Sequence, residues 1–313
     1  MATVPSPITI DQAFDDPAAI RRMVERNGPY PSIASYLPPS ATSTSGDEAA
    51  DPGTTLPWFR GNWAANGEAL FPDAEAILHN PRFAEAAAKL FAVPEVVPTT
   101  VVVNVNAPMP AGAVHVDIPS FRGANRDRYS LRVLQAMGTS GLFEQWRVVE
   151  AGAVSWFYDG LGGAYDYWPD GLTGAMLSKR PPFDNVALVA DNDRMFHRIG
   201  WVGDPTRGAL SLPASATIHH PEGTAWTIVD GDRTVATYPD PEVRISILWK
   251  ARVPDDHTAG ALAAPLSEER IIAIFAADLS ARGIDAPPSA SPLTDERWVD
   301  VVHATYYPRV VAD

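Results

Sequence analysis

Hydrophobic and polar positions alternate differently in three parts of the chain, and the differences outline the fold. Near the N-terminus the spacing is helical. Asp15 or Asp16 can cap a helix with Pro17 in its first turn, Ala19, Ile20, Met23 and Val24 on one face, and Asn27-Gly28 at its end. Residues 73–91 read as a helical pair broken near Asn80-Pro81. From residue 99 the pattern changes to β-branched runs and period-two alternation. Residues 99–106 predict a strand, 128–146 a helix interrupted at Gly138 and Gly141, and 154–158 a strand paired with 163–168 across the turn at Asp159-Gly160. Strands follow over 186–190, 195–202, 225–229, 234–238 and 243–251, with Asp191-Asn192-Asp193 and Asp230-Gly231-Asp232 as hairpin-type turns. Two helices close the chain, one capped by Ser267 and running to about Arg282, the other spanning 294–306.

Helices at both ends of a strand-rich middle predict an antiparallel, closed or double-sheet architecture. A parallel α/β sheet would alternate strand and helix throughout. One globular unit over 1–313 is expected, with N-terminal helices and a loop (1–94) packing on a β core (95–253), an insertion at 204–240 inside that core, and C-terminal helices (254–313). The stretch 38–57, rich in Pro, Ser, Thr, Gly and acids, reads as a surface loop.

Composition narrows the chemistry. With 46% hydrophobic and 20% charged residues the chain has an ordinary globular make-up. The formal net charge of −14 disfavours a nucleic-acid partner, which needs Lys and Arg to neutralise phosphates. The absence of cysteine excludes disulfides, thiolate nucleophiles and iron–sulfur clusters, and fits a cytoplasmic protein. The first ten residues have neither the basic nor the apolar region of a signal peptide, so none is expected, and no apolar run reaches membrane length. Phosphate-binding glycine loops and a serine-hydrolase elbow are missing as well.

A metal could be held only by His, Asp and Glu. His115 and Asp117 stand two apart on predicted extended chain, so their side chains share one side. A second His would complete a triangular face of two imidazoles and one carboxylate, leaving the opposite face open. His197, at the start of a predicted strand after a tight turn, is the preferred third ligand, with His219 and His220 as competitors.

The series His115-Val116-Asp117, then His197, then Arg244-Ile245-Ser246 resembles the pattern of the Fe(II)/2-oxoglutarate-dependent dioxygenases, over roughly 99–253. The resemblance implies a mainly β fold with flanking helices and a double-stranded β-helix (jelly-roll or cupin-like) core. It also implies iron(II) at the mouth of that core, with 2-oxoglutarate and O2 as co-substrates. Arg244 and Ser246 would hold the distal carboxylate of 2-oxoglutarate, because a guanidinium forms a two-bond fork with a carboxylate and stays charged when buried. In many members this Arg follows the distal His by about ten residues; Arg207 sits at that spacing and is the alternative. Halogenating relatives carry a small residue where Asp117 stands, so hydroxylation of a small-molecule substrate is expected. A cupin-type metal enzyme without 2-oxoglutarate and a non-catalytic barrel are the other readings.

Further candidates line the expected pocket. Asn104 and Asn106 alternate on the strand before the metal loop, and either could contact 2-oxoglutarate or substrate. Trp156, Tyr158 and Trp168, with Tyr165 and Tyr167, gather round one predicted hairpin. Arg122, followed by Arg126, Arg128 and Arg132, forms a basic cluster that could read an anionic substrate group. A monomer or a homodimer is expected.

Overall fold

The computed structural model describes residues 4–36, 54–208, 210–221, 225–254 and 264–308. Of the predicted loop over 38–57, residues 38–53 lie outside the described residues, and Thr54–Thr55 form a short strand. The N-terminal helix α1 (Pro17–Arg26) is capped by Asp16, whose side chain accepts from the Ala19 N–H. Asn80 caps α2 (Pro81–Phe91) in the same way. The predicted break at Asn80-Pro81 is therefore a helix start, preceded by a single turn over Glu75–Leu78.

The strands that build the core are β1 (Ile8–Ile10), β2 (Trp58–Ala65), β3 (Val97–Asn106), β4 (Glu150–Tyr158), β5 (Tyr165–Trp168), β6 (Leu177–Lys179), β7 (Phe183–Ala190) and β8 (Phe196–Ile199). After them come β9 (Thr217–His219), β10 (Trp226–Asp230), β11 (Arg233–Tyr238) and β12 (Arg244–Arg252). A seven-stranded antiparallel sheet runs β1-β7-β4-β12-β3-β2, ending on Glu68–Ala69. A smaller sheet runs β6-β5-β8. Beside β8 and the residues that follow it lies segment 109–117, tied by the bridges His115↔His197 and Met109↔Val202.

The chain thus passes alternately from large sheet to small and back, which is the double-stranded β-helix arrangement. Two expectations change as a result. The run predicted over 163–168 does not pair with the strand before it. Gly160 and Gly163 carry the chain across to the other sheet, where β5 pairs with β6 and β8. Likewise Asp191-Asn192-Asp193 is a crossover between β7 and β8 in different sheets, whereas Asp230-Gly231-Asp232 does close a hairpin between β10 and β11. Local turn chemistry is the same in both situations, so sequence could not separate them.

The two faces of the large sheet carry different side chains. Val101, Val103 and Val105 of β3 and Ile245, Ile247, Trp249 and Ala251 of β12 pack outward against Ile20 and Val24 of α1 and Phe83 and Ala87 of α2. The Trp249 Nε1–H closes this layer by donating to the Leu78 carbonyl at 2.7 Å. Trp156, Tyr158 and Leu188 face the small sheet and meet Tyr165, Tyr167, Met195 and Val202.

A third cluster joins α3 (Leu131–Ser140), α4 (Glu268–Ala281) and α5 (Glu296–Tyr306) around Phe143, Phe275, Trp298 and Val302. Gly138 lies inside α3, not at a break; the helix ends at Gly141, which adopts positive φ. Strands β9 to β11, from the predicted insertion, form a separate sheet with Tyr30–Pro31. Among the described residues no helix is long and apolar enough to cross a membrane.

Phe83 has no solvent exposure and contacts the rings of Phe14 and Trp249, so it anchors α2 to the outer face. Phe83→Ala should lower unfolding free energy by about 3–5 kcal/mol, measured by denaturant titration; a loss below about 1 kcal/mol would mean that α2 contributes little to holding the sheet.

Candidate metal centre between the two sheets

His115 and His197 are brought together by main-chain pairing. The His115 N–H donates to the His197 carbonyl at 3.0 Å, and the His197 N–H returns the bond at 2.8 Å. Asp117 follows on the same extended segment, its N–H bound to the Asn192 carbonyl at 2.8 Å. One donor atom from each of His115, Asp117 and His197 lies within 4.8 Å of the others.

Both rings are held in the orientation that a metal requires. His115 Nδ1 lies 2.9 Å from the Ala113 carbonyl, and His197 Nδ1 lies 2.9 Å from the Met195 carbonyl. A carbonyl can only accept, so each Nδ1 carries a proton and each Nε2 is the nitrogen left to face the site. Burial, and then the neighbouring His197 ring, push the His115 pKa down to about 4, so this ring is neutral near pH 7. Tyr165 stacks on His197 at 5.5 Å.

Asp117 is the third donor. Its Oδ1 lies 3.5 Å from His197 Nε2, and its Oδ2 lies 2.8 Å from the Lys250 ammonium. Burial alone would raise this carboxyl, but the Lys250 charge and then His197 outweigh it and hold Asp117 well below the usual carboxylate range. Two imidazoles and an ionised carboxylate are a donor set suited to iron(II), manganese(II) or zinc.

Lys250 was not singled out by sequence, although it continues the period-two series Arg244, Ser246, Leu248 on the interior face of β12. Its ammonium also lies 3.2 Å from Asp193 Oδ1 and 3.9 Å from Glu150 Oε2. Desolvation would lower its pKa, yet Asp117, Asp193 and Glu150 together raise it above the ordinary lysine value. One cation therefore ties the Asp117 segment to the turn that leads into His197. Gly152, opposite Lys250 in the sheet, leaves room for that turn: a Cβ there would come to 3.0 Å from Asn192 Nδ2.

Arg244 is buried at the opposite end of the same strand face. Its Nε donates to the Gly163 carbonyl at 2.8 Å, and its guanidinium sits 6.0 Å over the Phe183 ring. Gly163 has φ +70°, and a Cβ there would lie 2.6 Å from the Tyr158 ring and 3.1 Å from Arg244 Cδ, so only glycine fits. No carboxylate of the described residues lies within 4 Å of Arg244. Burial pushes its pKa down to about 9, against the raising effect of Tyr158 and Tyr165. Ser246 is buried beside it. Arg207 lies on a single 3-10 turn, Pro205–Arg207, outside the core strands.

The remaining candidates are placed as follows. Asn104 faces the interior and its Oδ1 accepts from Trp58 Nε1 at 2.9 Å, while Asn106 is buried with its Nδ2 3.6 Å from Met109 Sδ. Trp156 is fully buried against Phe183 and Tyr165, with no hydrogen-bond partner for its Nε1. The Tyr158 hydroxyl donates to the Leu161 carbonyl, a loop brace. Trp168 lies under the Arg198 guanidinium. The basic cluster is dispersed: an Arg122 Nη donates to the Gln145 carbonyl, Arg128 donates to the Gly123 carbonyl, and Arg132 pairs with Asp300. His219 and His220 lie on and just after β9, where Glu25, His220 and Asp240 form a separate group.

No family model matches the chain, and no curated protein is similar to it. Among solved structures, it is similar to an oxidoreductase of the 2OG-Fe(II) oxygenase family from Burkholderia pseudomallei (13% identity, 79% of this chain and 84% of that one, TM-score 0.43). It is also similar to a prolyl-4-hydroxylase from Pseudomonas putida (11%, 80% and 94%, TM-score 0.40). A third is the non-heme alpha ketoglutarate dependent carbocyclase SnoK of nogalamycin biosynthesis (11%, 84% and 89%, TM-score 0.42). At this overlap the fold is read from the strand order itself.

Removing the Lys250 charge frees Asp117 and leaves two further buried carboxylates unpaired. Lys250→Met should weaken divalent-metal affinity by about tenfold or more, with Lys250→Arg intermediate. Titrating metal-free protein with cobalt(II) and following its visible absorption gives the affinity; an unchanged value in a folded Lys250→Met variant would show that Asp117 needs no such brace.

Proposed function

We propose that this protein is an iron(II) oxygenase that uses 2-oxoglutarate and O2 to oxidise a small-molecule substrate, by hydroxylation. The observation that carries the reading is the pairing of two features inside one barrel. His115, Asp117 and His197 converge as a two-imidazole, one-carboxylate donor set. On the facing wall stands Arg244, a buried guanidinium with no acid of the described residues beside it. A buried cation without a counter-charge is costly unless a ligand supplies one.

His115, Asp117 and His197 would hold the iron, and Arg244 with Ser246 would take the distal carboxylate of 2-oxoglutarate. The iron and its co-substrate would supply the activation of dioxygen. The chain's own part is positional. Lys250 keeps Asp117 ionised and aimed, the Ala113 and Met195 carbonyls fix the ring tautomers, and the Trp156–Phe183–Tyr165 layer keeps water from the interior. Arg244 is favoured over Arg207 because it stands on a core strand and faces the interior with the row that includes Ser246. Asp117 fills the position that a small residue takes in halogenating relatives, which supports hydroxylation.

Iron(II) and 2-oxoglutarate added anaerobically to metal-free protein should produce a weak visible charge-transfer band that needs both additions. The band should vanish in His197→Ala and weaken strongly in Arg244→Gln. Iron binding without the band would favour a metal enzyme that does not use 2-oxoglutarate, and absence of iron binding would overturn the oxygenase reading altogether.

A further inference from the structure

The interior face of the large sheet holds a second guanidinium that the proposed chemistry does not use. Arg60 of β2 lies opposite Asn104, which lies opposite Ser246, which lies opposite Trp156. Directly opposed residues project to the same face, so Arg60 shares the wall that faces the small sheet. Its neighbour two residues back, Trp58, packs against the interior cluster and confirms the direction. Phe59 between them belongs to the outer, helix-covered core.

Arg60 is partly buried, its Nε is shielded from solvent with no hydrogen-bond partner, and no carboxylate of the described residues lies within 4 Å of its guanidinium. The Tyr36 ring lies 5.8 Å below the guanidinium. After burial, the charge that perturbs it most is another cation, Arg126, with Asp117 next; both lower or raise it only by being close. Arg126 follows the metal-bearing segment in the loop that the sequence marked as basic, and its side chain is exposed. Arg126, one of the four arginines expected to read an anionic group, thus stands near a partner from β2 that sequence did not single out.

Arg244 and Arg60 are turned to different neighbours, Arg244 to the Gly163 carbonyl and the Phe183 ring, Arg60 to the Tyr36 ring and Arg126. Two strand spacings and two residues along the strand separate them, roughly 12 Å between Cα atoms. With Arg244 assigned to the co-substrate and Lys250 engaged by three carboxylates, Arg60 is left without a counter-charge within 4 Å among the described residues.

We propose that Arg60, assisted by Arg126, forms an oxyanion subsite of the substrate pocket, so that the substrate carries a carboxylate or a similar oxyanion. This deepens the oxygenase reading and rests on it for the word substrate, while the subsite itself is testable without iron. A guanidinium offers two parallel N–H groups to an oxyanion, and its desolvated setting strengthens the contact. Asp117, on the same side, is spoken for by Lys250 and does not neutralise Arg60.

The test uses full-length protein saturated with manganese(II) and 2-oxoglutarate, titrated calorimetrically with acetate and, separately, inorganic phosphate. The wild type should bind one further anion. Arg60→Gln should weaken it about tenfold or more, the equivalent of about 1.4 kcal/mol, with Arg60→Lys restoring part and Arg126→Gln losing less. Arg244→Gln should abolish 2-oxoglutarate binding and leave the added anion in place on metal-free protein. Preference for acetate or phosphate assigns the oxyanion. Unchanged anion affinity in Arg60→Gln, no anion bound by wild type, or loss of 2-oxoglutarate in its place overturns the subsite. If manganese and 2-oxoglutarate fail to bind, the proposed function falls, and the anion titration of metal-free protein still decides Arg60.

Discussion

The reciprocal hydrogen bonds between the main chains of His115 and His197 are what the rest of the site depends on. They bring together residues 82 positions apart and set both imidazoles at one level of the small sheet. Segment 109–117 has few other partners there. Gly112 donates to the Ile199 carbonyl, and Met109 exchanges bonds with Val202. The segment is therefore extended without being a full strand, and its regular edge is supplied by β8. Once it is pinned, Asp117 falls beside the ring of His197 and within reach of Lys250.

Buried charge is handled in two ways inside one barrel. Around Asp117 every charge has an opposite neighbour: Lys250 meets three carboxylates, and Arg194 meets Asp191 and Glu144. Such a network resists rearrangement, because removing one member strands the others in a medium that solvates them poorly. Along the row that begins at Arg60 and the pair next to it that holds Arg244, the cations meet carbonyls and rings instead. The compensated charges hold the framework still, and the uncompensated ones face the space that a ligand would enter.

Much of this was legible in the sequence where the signal is local. The caps at Asp16 and Ser267 and the alternation of β3 and β12 are short-range features, and the strands and helices they announce are present. The spacing of His115 and Asp117 is likewise local. Sheet membership was not legible: Asp159-Gly160 and Asp191-Asn192-Asp193 have the composition of hairpin turns, but the chain beyond each joins the opposite sheet. Lys250 and Arg60 were missed for a related reason. Each is an unremarked basic residue in an otherwise apolar strand, and only cross-strand register places one against Asp117 and the other opposite Asn104. The basic loop over 122–132 illustrates the reverse: its clustering in sequence dissolves once Arg128 and Arg132 turn to different partners.

Strand β12 has polar and charged groups on one side, in Arg244, Ser246 and Lys250, and the filling of the helix-covered core on the other, in Ile245, Ile247, Trp249 and Ala251. A slip of one residue would therefore exchange the two sides at once, driving a guanidinium and an ammonium under α2 and turning an indole toward the donor triad. No intermediate pairing preserves part of the site, because every odd shift is wrong for all seven residues. The barrel interior and the outer core consequently check each other: the same register that hides Trp249 aims Lys250, and a chain that folds at all has its polar row in place.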